Sequence, residues 1–234
     1  MIEINHEFTS PNFGIRPVGI AIDTIIIHYT DMKDDISALN RLCDRQAEVS
    51  SHYLINKQGK IFSLVPDHLR AWHAGPSCWM NRHKVNDFSI GIELDNNGYE
   101  EFSSELMHSL IALCHQLIKN HPINPFYILG HSDIVPNRKF DPGRLFNWRL
   151  LANNGIGIYP EKTTGAKTLK LEEIQSMLAK YGYEILVSGI MDKQTIDVMR
   201  AFNEHFNPEC YDVWSESSQA KLNALLALFS AVSS

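Results

Sequence analysis

Thr24-Ile25-Ile26-Ile27-His28-Tyr29 sets aliphatic β-branched residues at consecutive positions. Extended, such a run presents apolar surface on both faces, so it belongs in the middle of a sheet covered on both sides. Ser51-His52-Tyr53-Leu54-Ile55 is a second strand. Asn56 to Lys60 then forms a turn, with Gly59 available for positive φ, before Ile61-Phe62-Ser63-Leu64-Val65 returns as the other arm of a hairpin. Ser89-Ile90-Gly91-Ile92-Glu93-Leu94 alternates, with Ile90, Ile92 and Leu94 on one face and Gly91, Glu93 and Asp95 on the other. Phe126-Tyr127-Ile128-Leu129 is the last strand and runs into Gly130-His131. Helical spacing joins Ile36, Leu39 and Cys43, and again Leu106, Leu110, Leu113 and Leu117, the second helix stopping near Pro122. The pattern predicts an α+β fold: a mixed central β-sheet flanked by helices.

Residues 151–167 carry several Gly, Asn and Thr and little periodicity, which marks a linker between a domain over 1–150 and a smaller one over 168–234. The second part shows three amphipathic helices: Leu171, Ile174, Leu178 and Tyr181, ended by Gly182; Ile196, Met199 and Phe202, begun by an Asp192 cap; and Leu222, Leu225, Leu226 and Phe229. A chain of 234 residues, 44% of them hydrophobic, has material for one medium core and one small one.

Net charge is −6, from 27 acidic against 21 basic residues without a Lys/Arg run, which argues against nucleic acid as a partner. Cys43, Cys78, Cys114 and Cys210 form no C-x-x-C pair and are expected to be reduced thiols. No stretch is long enough to span a bilayer, and Met1 to Glu7 lacks the basic and apolar regions of an export signal. The expectation is a cytosolic protein if the sequence is native as given, or an envelope protein whose signal has been removed. The sequence leaves oligomeric state open.

The densest chemistry lies in Gly130-His131-Ser132-Asp133-Ile134 and Arg138-Lys139-Phe140-Asp141-Pro142-Gly143. Lys139 and Asp141 are two apart, so in an extended segment an ammonium sits beside whatever the carboxylate ligates. Catalytic zinc commonly takes three protein ligands and keeps one position for water. His28 at the end of one strand, His131 after another, and Asp141 from the following loop meet that count, and Glu93 at a strand end is the candidate general base. His6, His68, His83, His108, His115, His121 and His205 are read as ordinary surface or hydrogen-bonded core histidines, and His52 as structural or groove-lining. There is no His-Glu-x-x-His helix and no Gly-x-Ser-x-Gly elbow. Adjacent side chains at His131-Ser132-Asp133 diverge, which disfavours a triad. A Cys78 nucleophile beside His73 lacks anything to orient the histidine.

Six pieces occur in an order that resembles the zinc-dependent N-acetylmuramoyl-L-alanine amidases, whose fold is shared with phage lysozyme-type amidases and peptidoglycan recognition proteins. They are Ile-Ile-His28, Ser51-His52-Tyr53, Ala71-Trp72-His73-Ala74-Gly75, Ser89-Ile-Gly-Ile-Glu93-Leu94, Gly130-His131-Ser132-Asp133-Ile134 and Arg138-Lys139-Phe140-Asp141-Pro142-Gly143. The resemblance implies one zinc per chain on His28, His131 and Asp141, water activation by Glu93, and oxyanion stabilisation by Lys139. It implies cleavage of the amide between the lactyl group of N-acetylmuramic acid and L-alanine of the stem peptide, in peptidoglycan or muropeptides. Trp72, His73 and Arg138 are the expected groove residues that contact glycan or peptide. The C-terminal helices resemble a peptidoglycan-binding module, departing from that pattern at Asp192 and Asn203. The alternative of another class is a non-catalytic peptidoglycan recognition protein. Single-domain relatives are expected in the cytosol and relatives with the helical module in the envelope.

Overall fold

The computed structural model describes residues 2–161 and 169–232. Residues 162–167 of the expected linker lie outside the described residues. The strands are β1 (Ile4–Asn5), β2 (Phe13–Ile15), β3 (Thr24–Tyr29), β4 (Tyr53–Ile55), β5 (Ile61–Ser63), β6 (Leu69–Ala71), β7 (Cys78–Trp79), β8 (Arg82–His83), β9 (Ser89–Leu94) and β10 (Ile128–Gly130). The helices are α1 (Asp35–Cys43), α2 (Ser104–Asn120), α3 (His131–Ile134), α4 (Trp148–Asn153), α5 (Leu171–Tyr181), α6 (Lys193–Phe206) and α7 (Glu216–Val232). Two compact units share them: Met1–Gly75 with Lys84–Leu129, and Pro76–His83 with Gly130–Ser234.

The first unit is built on a six-stranded sheet in the order β1-β5-β4-β9-β3-β10. Pairing of β3 with β9 and of β9 with β4 is parallel, and that of β4 with β5 antiparallel, so the sheet is mixed as expected. Ile25, Ile26 and Ile27 are wholly buried, which is the two-faced burial their side chains require. The hairpin forms where read. At its turn Gly59 takes φ +81, and a Cβ there would lie 2.7 Å from the Glu105 carbonyl oxygen, so α2 packs on this turn only because glycine occupies it.

Helix α1 is capped by Asp34, which accepts from the Ser37 N–H, and α2 by Ser103, which accepts from the Leu106 N–H. The α2 face is the one read from sequence, Leu106, Leu110, Leu113 and Leu117, joined by Met107 and Cys114. The α1 face is rotated: Ala38, Leu39 and Leu42 are buried and Ile36 is exposed. The last strand starts later than read, because Asn124 caps the Phe126 N–H and Pro125–Tyr127 make one 3-10 turn before β10.

In the second unit α5, α6 and α7 are the three expected helices, and Asp192 caps α6 through the Thr195 N–H at 2.9 Å. Ile196 faces solvent, while Val198, Met199, Phe202 and Phe206 are buried. The β7–β8 ribbon joins this unit: Trp79 meets Tyr181 and Tyr183 edge-on, and the Met80 N–H donates to the Gly182 carbonyl at 2.9 Å. A Cβ on Gly182 would lie 2.8 Å from the Trp79 ring, which explains the glycine that ends α5. All four cysteines are free thiols, and among the described residues no helix is long and apolar enough to cross a membrane.

Candidate active site

The parallel register of β3 and β9 makes His28 and Glu93 direct partners in the first unit. Residues in register on adjacent strands project to the same face, so alternation alone carries an imidazole and a carboxylate side by side. Two residues before Glu93, Gly91 leaves space for the His73 ring: a Cβ there would lie 2.4 Å from His73 Cγ. His28, His73 and Glu93 thus share one face of the sheet.

The hydrogen bonds below them assign the ring protons. The Ser89 hydroxyl donates its one hydrogen to the Val85 carbonyl at 2.7 Å, so across the 3.2 Å to His73 Nε2 the ring is the donor. With His73 in its neutral form, its Nδ1 accepts from His28 Nε2 3.1 Å away. His28 is left with its lone pair on Nδ1, the form of a neutral imidazole that ligates metals. Val85, Ser89, His73 and His28 make one directed chain.

Arg16 and His52 brace the same strand. The Arg16 guanidinium donates to the carbonyls of Asp67, Asn86, Asp87 and Ser89, and the Gly91 N–H donates to His52 Nδ1 at 3.0 Å. Burial lowers the Arg16 pKa to about 10 against the pull of Asp67 and Asp87. Burial, reinforced by the Arg16 charge, lowers His52 to about 3, so His52 is a neutral structural residue. Trp72 is half-buried, with its backbone N–H donating to Ser50 Oγ at 2.8 Å.

In the second unit the loop after β10 turns tightly. A Cβ on Gly130 would lie 2.7 Å from Pro142 Cδ, so the chain folds back to bring Asp141 beside His131. His131 Nδ1 and Asp141 Oδ2 are 3.1 Å apart, both residues buried, and the Ser132 N–H donates to the Asp141 carbonyl at 3.0 Å. Lys139 is half-buried, its backbone held by the Val135 carbonyl. Arg138 is exposed and donates to the Pro76 carbonyl at 2.5 Å.

Asp133 has a framework role. Its carboxylate accepts from the Gly130 N–H at 2.8 Å, the Tyr183 hydroxyl at 2.6 Å and His205 Nδ1 at 2.8 Å. His205 is sandwiched between Trp148 and Phe206, its ring centroid 3.8 Å from each. Sequence reading singled out His28, Glu93, His131 and Asp141 but not Arg16, the Ser89 relay or the Asp133 anchor. For the relay, only the glycine opposite His73 in an otherwise aliphatic strand was a signal.

Residues 18–144 match the N-acetylmuramoyl-L-alanine amidase family. The chain is 37% identical to the N-acetylmuramoyl-L-alanine amidase AmiD of Escherichia coli, over 88% of this chain and 82% of AmiD. It is 35% identical to the 1,6-anhydro-N-acetylmuramyl-L-alanine amidase AmpD of Haemophilus influenzae, over 61% of this chain and 87% of AmpD. Among solved structures it resembles E. coli AmiD in complex with anhydro-N-acetylmuramic acid-L-Ala-D-γ-Glu-L-Lys, with TM-score 0.82, 33% identity, and 92% of this chain and 93% of that one covered. AmpDh3 of Pseudomonas aeruginosa aligns with TM-score 0.77 and 28% identity over 98% of this chain and all of that one.

Proposed function

The chain belongs to the N-acetylmuramoyl-L-alanine amidase family, and from that membership we propose that it hydrolyses the amide joining the lactyl group of N-acetylmuramic acid to L-alanine in muropeptides. The observation that carries an enzyme rather than a recognition protein is the pairing of His28 with Glu93 on β3 and β9, over a hydrogen-bond chain that fixes the His28 tautomer. The anhydromuropeptide complex of AmiD supports soluble wall fragments as the substrate class. The attached helical module supports an envelope location, which fractionation of the native product checks.

His28, His131 and Asp141 are the proposed zinc ligands. The fit rests on donor chemistry: two imidazoles and a carboxylate, all buried, are nitrogen and oxygen donors that suit zinc. Zinc, when bound, supplies a Lewis acid for the lactyl carbonyl and lowers the pKa of water to about 7. Glu93 takes the proton of the attacking water and delivers it to the leaving amine of L-alanine. Lys139 offsets the charge that develops on the carbonyl oxygen as water adds. Trp72 and Arg138 are proposed to orient the glycan and peptide, whereas His73, read from sequence as a groove residue, is buried with both ring nitrogens engaged and supports His28 instead.

Glu93→Ala and Asp141→Ala are each expected to abolish release of stem peptide from muropeptides, read by mass spectrometry, and only Asp141→Ala to release metal. Turnover that survives both would end this reading, and a metal-loaded wild type without turnover would favour recognition.

A further inference from the structure

Cys78 and His83 face each other in antiparallel register across the β7–β8 ribbon. The turn between them, Met80-Asn81, has φ of +52 and +59, the two-residue geometry that twists a hairpin tightly and fixes which residues stand opposite. The Met80 N–H and the Trp79 ring fasten that turn to Gly182, Tyr181 and Tyr183 at the end of α5, and the next residue is Glu184. As a result Cys78 Sγ, a ring nitrogen of His83 and a carboxylate oxygen of Glu184 all lie within 4.8 Å of one another. These three residues lie together in the second unit and are distinct from the proposed catalytic ligands.

We propose that Cys78, His83 and Glu184 form a second metal site, which takes zinc and clips the β7–β8 ribbon to the segment after α5. The donor set selects the ion: a thiolate and an imidazole with one carboxylate suit zinc, whereas calcium and magnesium take oxygen donors. Three protein ligands leave one position for water. Cys78 is buried at 2% exposure, while His83 and Glu184 are exposed and line a surface groove of about 620 Å³ with Arg138 and Lys193, so an ion meets these two ligands from solvent. Without metal, burial and the Glu184 charge both push the Cys78 thiol up. A divalent cation reverses that balance, and binding releases the thiol proton to solvent. The ribbon is already held by its turn and its tryptophan, so little chain has to be ordered to complete the site.

Cobalt distinguishes this site from the catalytic one, because only Cys78 offers a thiolate. Full-length protein stripped of metal and titrated with Co²⁺ is expected to develop a near-ultraviolet thiolate-to-cobalt charge-transfer band, and with Zn²⁺ to bind about two ions per chain. Cys78→Ser is expected to lose the band and one zinc equivalent while muropeptide turnover persists. His83→Ala and Glu184→Gln change exposed side chains and guard against misfolding; each is expected to weaken cobalt binding by this band roughly 10-fold or more. A wild type that shows no thiolate band at saturating cobalt, or a zinc count unchanged in Cys78→Ser, overturns the proposal. A band with only one bound zinc supports this site and counts against the catalytic ligand set instead.

Discussion

Ser89 touches no proposed ligand, yet it decides which nitrogen of His28 carries a proton. Its hydroxyl is committed to Val85, so it accepts from His73, and a neutral His73 then accepts from His28. Ser89→Ala removes the acceptor, frees His73 to take the opposite tautomer and sets two donors against each other at the His28 contact. The expected result is zinc binding weaker by about 10–100-fold with the fold intact, read by competition with a chelator, and turnover restored by excess zinc. His28 and Glu93 were legible in the chain because strand alternation and strand ends are local patterns. The partners of Ser89, His73 and Arg16 were not, since they come from distant segments and no spacing encodes which oxygen a hydroxyl will choose.

At the level of elements, helical periodicity in α2, α5 and α7 was readable because long amphipathic runs average over single exceptions. The face of α1 was misjudged at Ile36, since nine residues give only two and a half turns in which to weigh one exposed isoleucine. Strands β1, β2, β6, β7 and β8 have two or three residues each, too short for a period to show. What joins several of the short elements is Asp133, where the end of β10, Tyr183 after α5 and His205 on α6 converge on one carboxylate. Asp133→Ala leaves a buried hydroxyl and imidazole without their acceptor. It is expected to destabilise the protein by about 3–5 kcal/mol, measured by urea unfolding.

Across the whole molecule, acid and base act on different units. His52 in the first unit has its pKa depressed to about 3, so between its ordinary 6.5 and that value the unfolded chain binds a proton that the folded one refuses. Stability from this group is full above 6.5 and is lost as pH falls, by about 1.4 kcal/mol per pH unit. Glu204 in the second unit has its pKa raised to about 7, chiefly by burial and despite Arg200 at 2.7 Å. Its contribution is full below its ordinary 4.5 and is lost as pH rises through about 7. Hydrogen exchange is expected to show β9 opening more readily near pH 5 and α6 near pH 8; the same pH response in both elements would contradict this.

The β7–β8 ribbon lies early in the chain yet rests on residues that follow about a hundred positions later. At a synthesis rate of about 5–20 residues per second, Trp79 leaves the ribosome roughly 5–20 seconds before Tyr181, Gly182 and Tyr183 exist to cover it. The nascent protein therefore carries an uncovered indole while about a hundred further residues are added, and the ribbon settles only once the end of α5 has followed it.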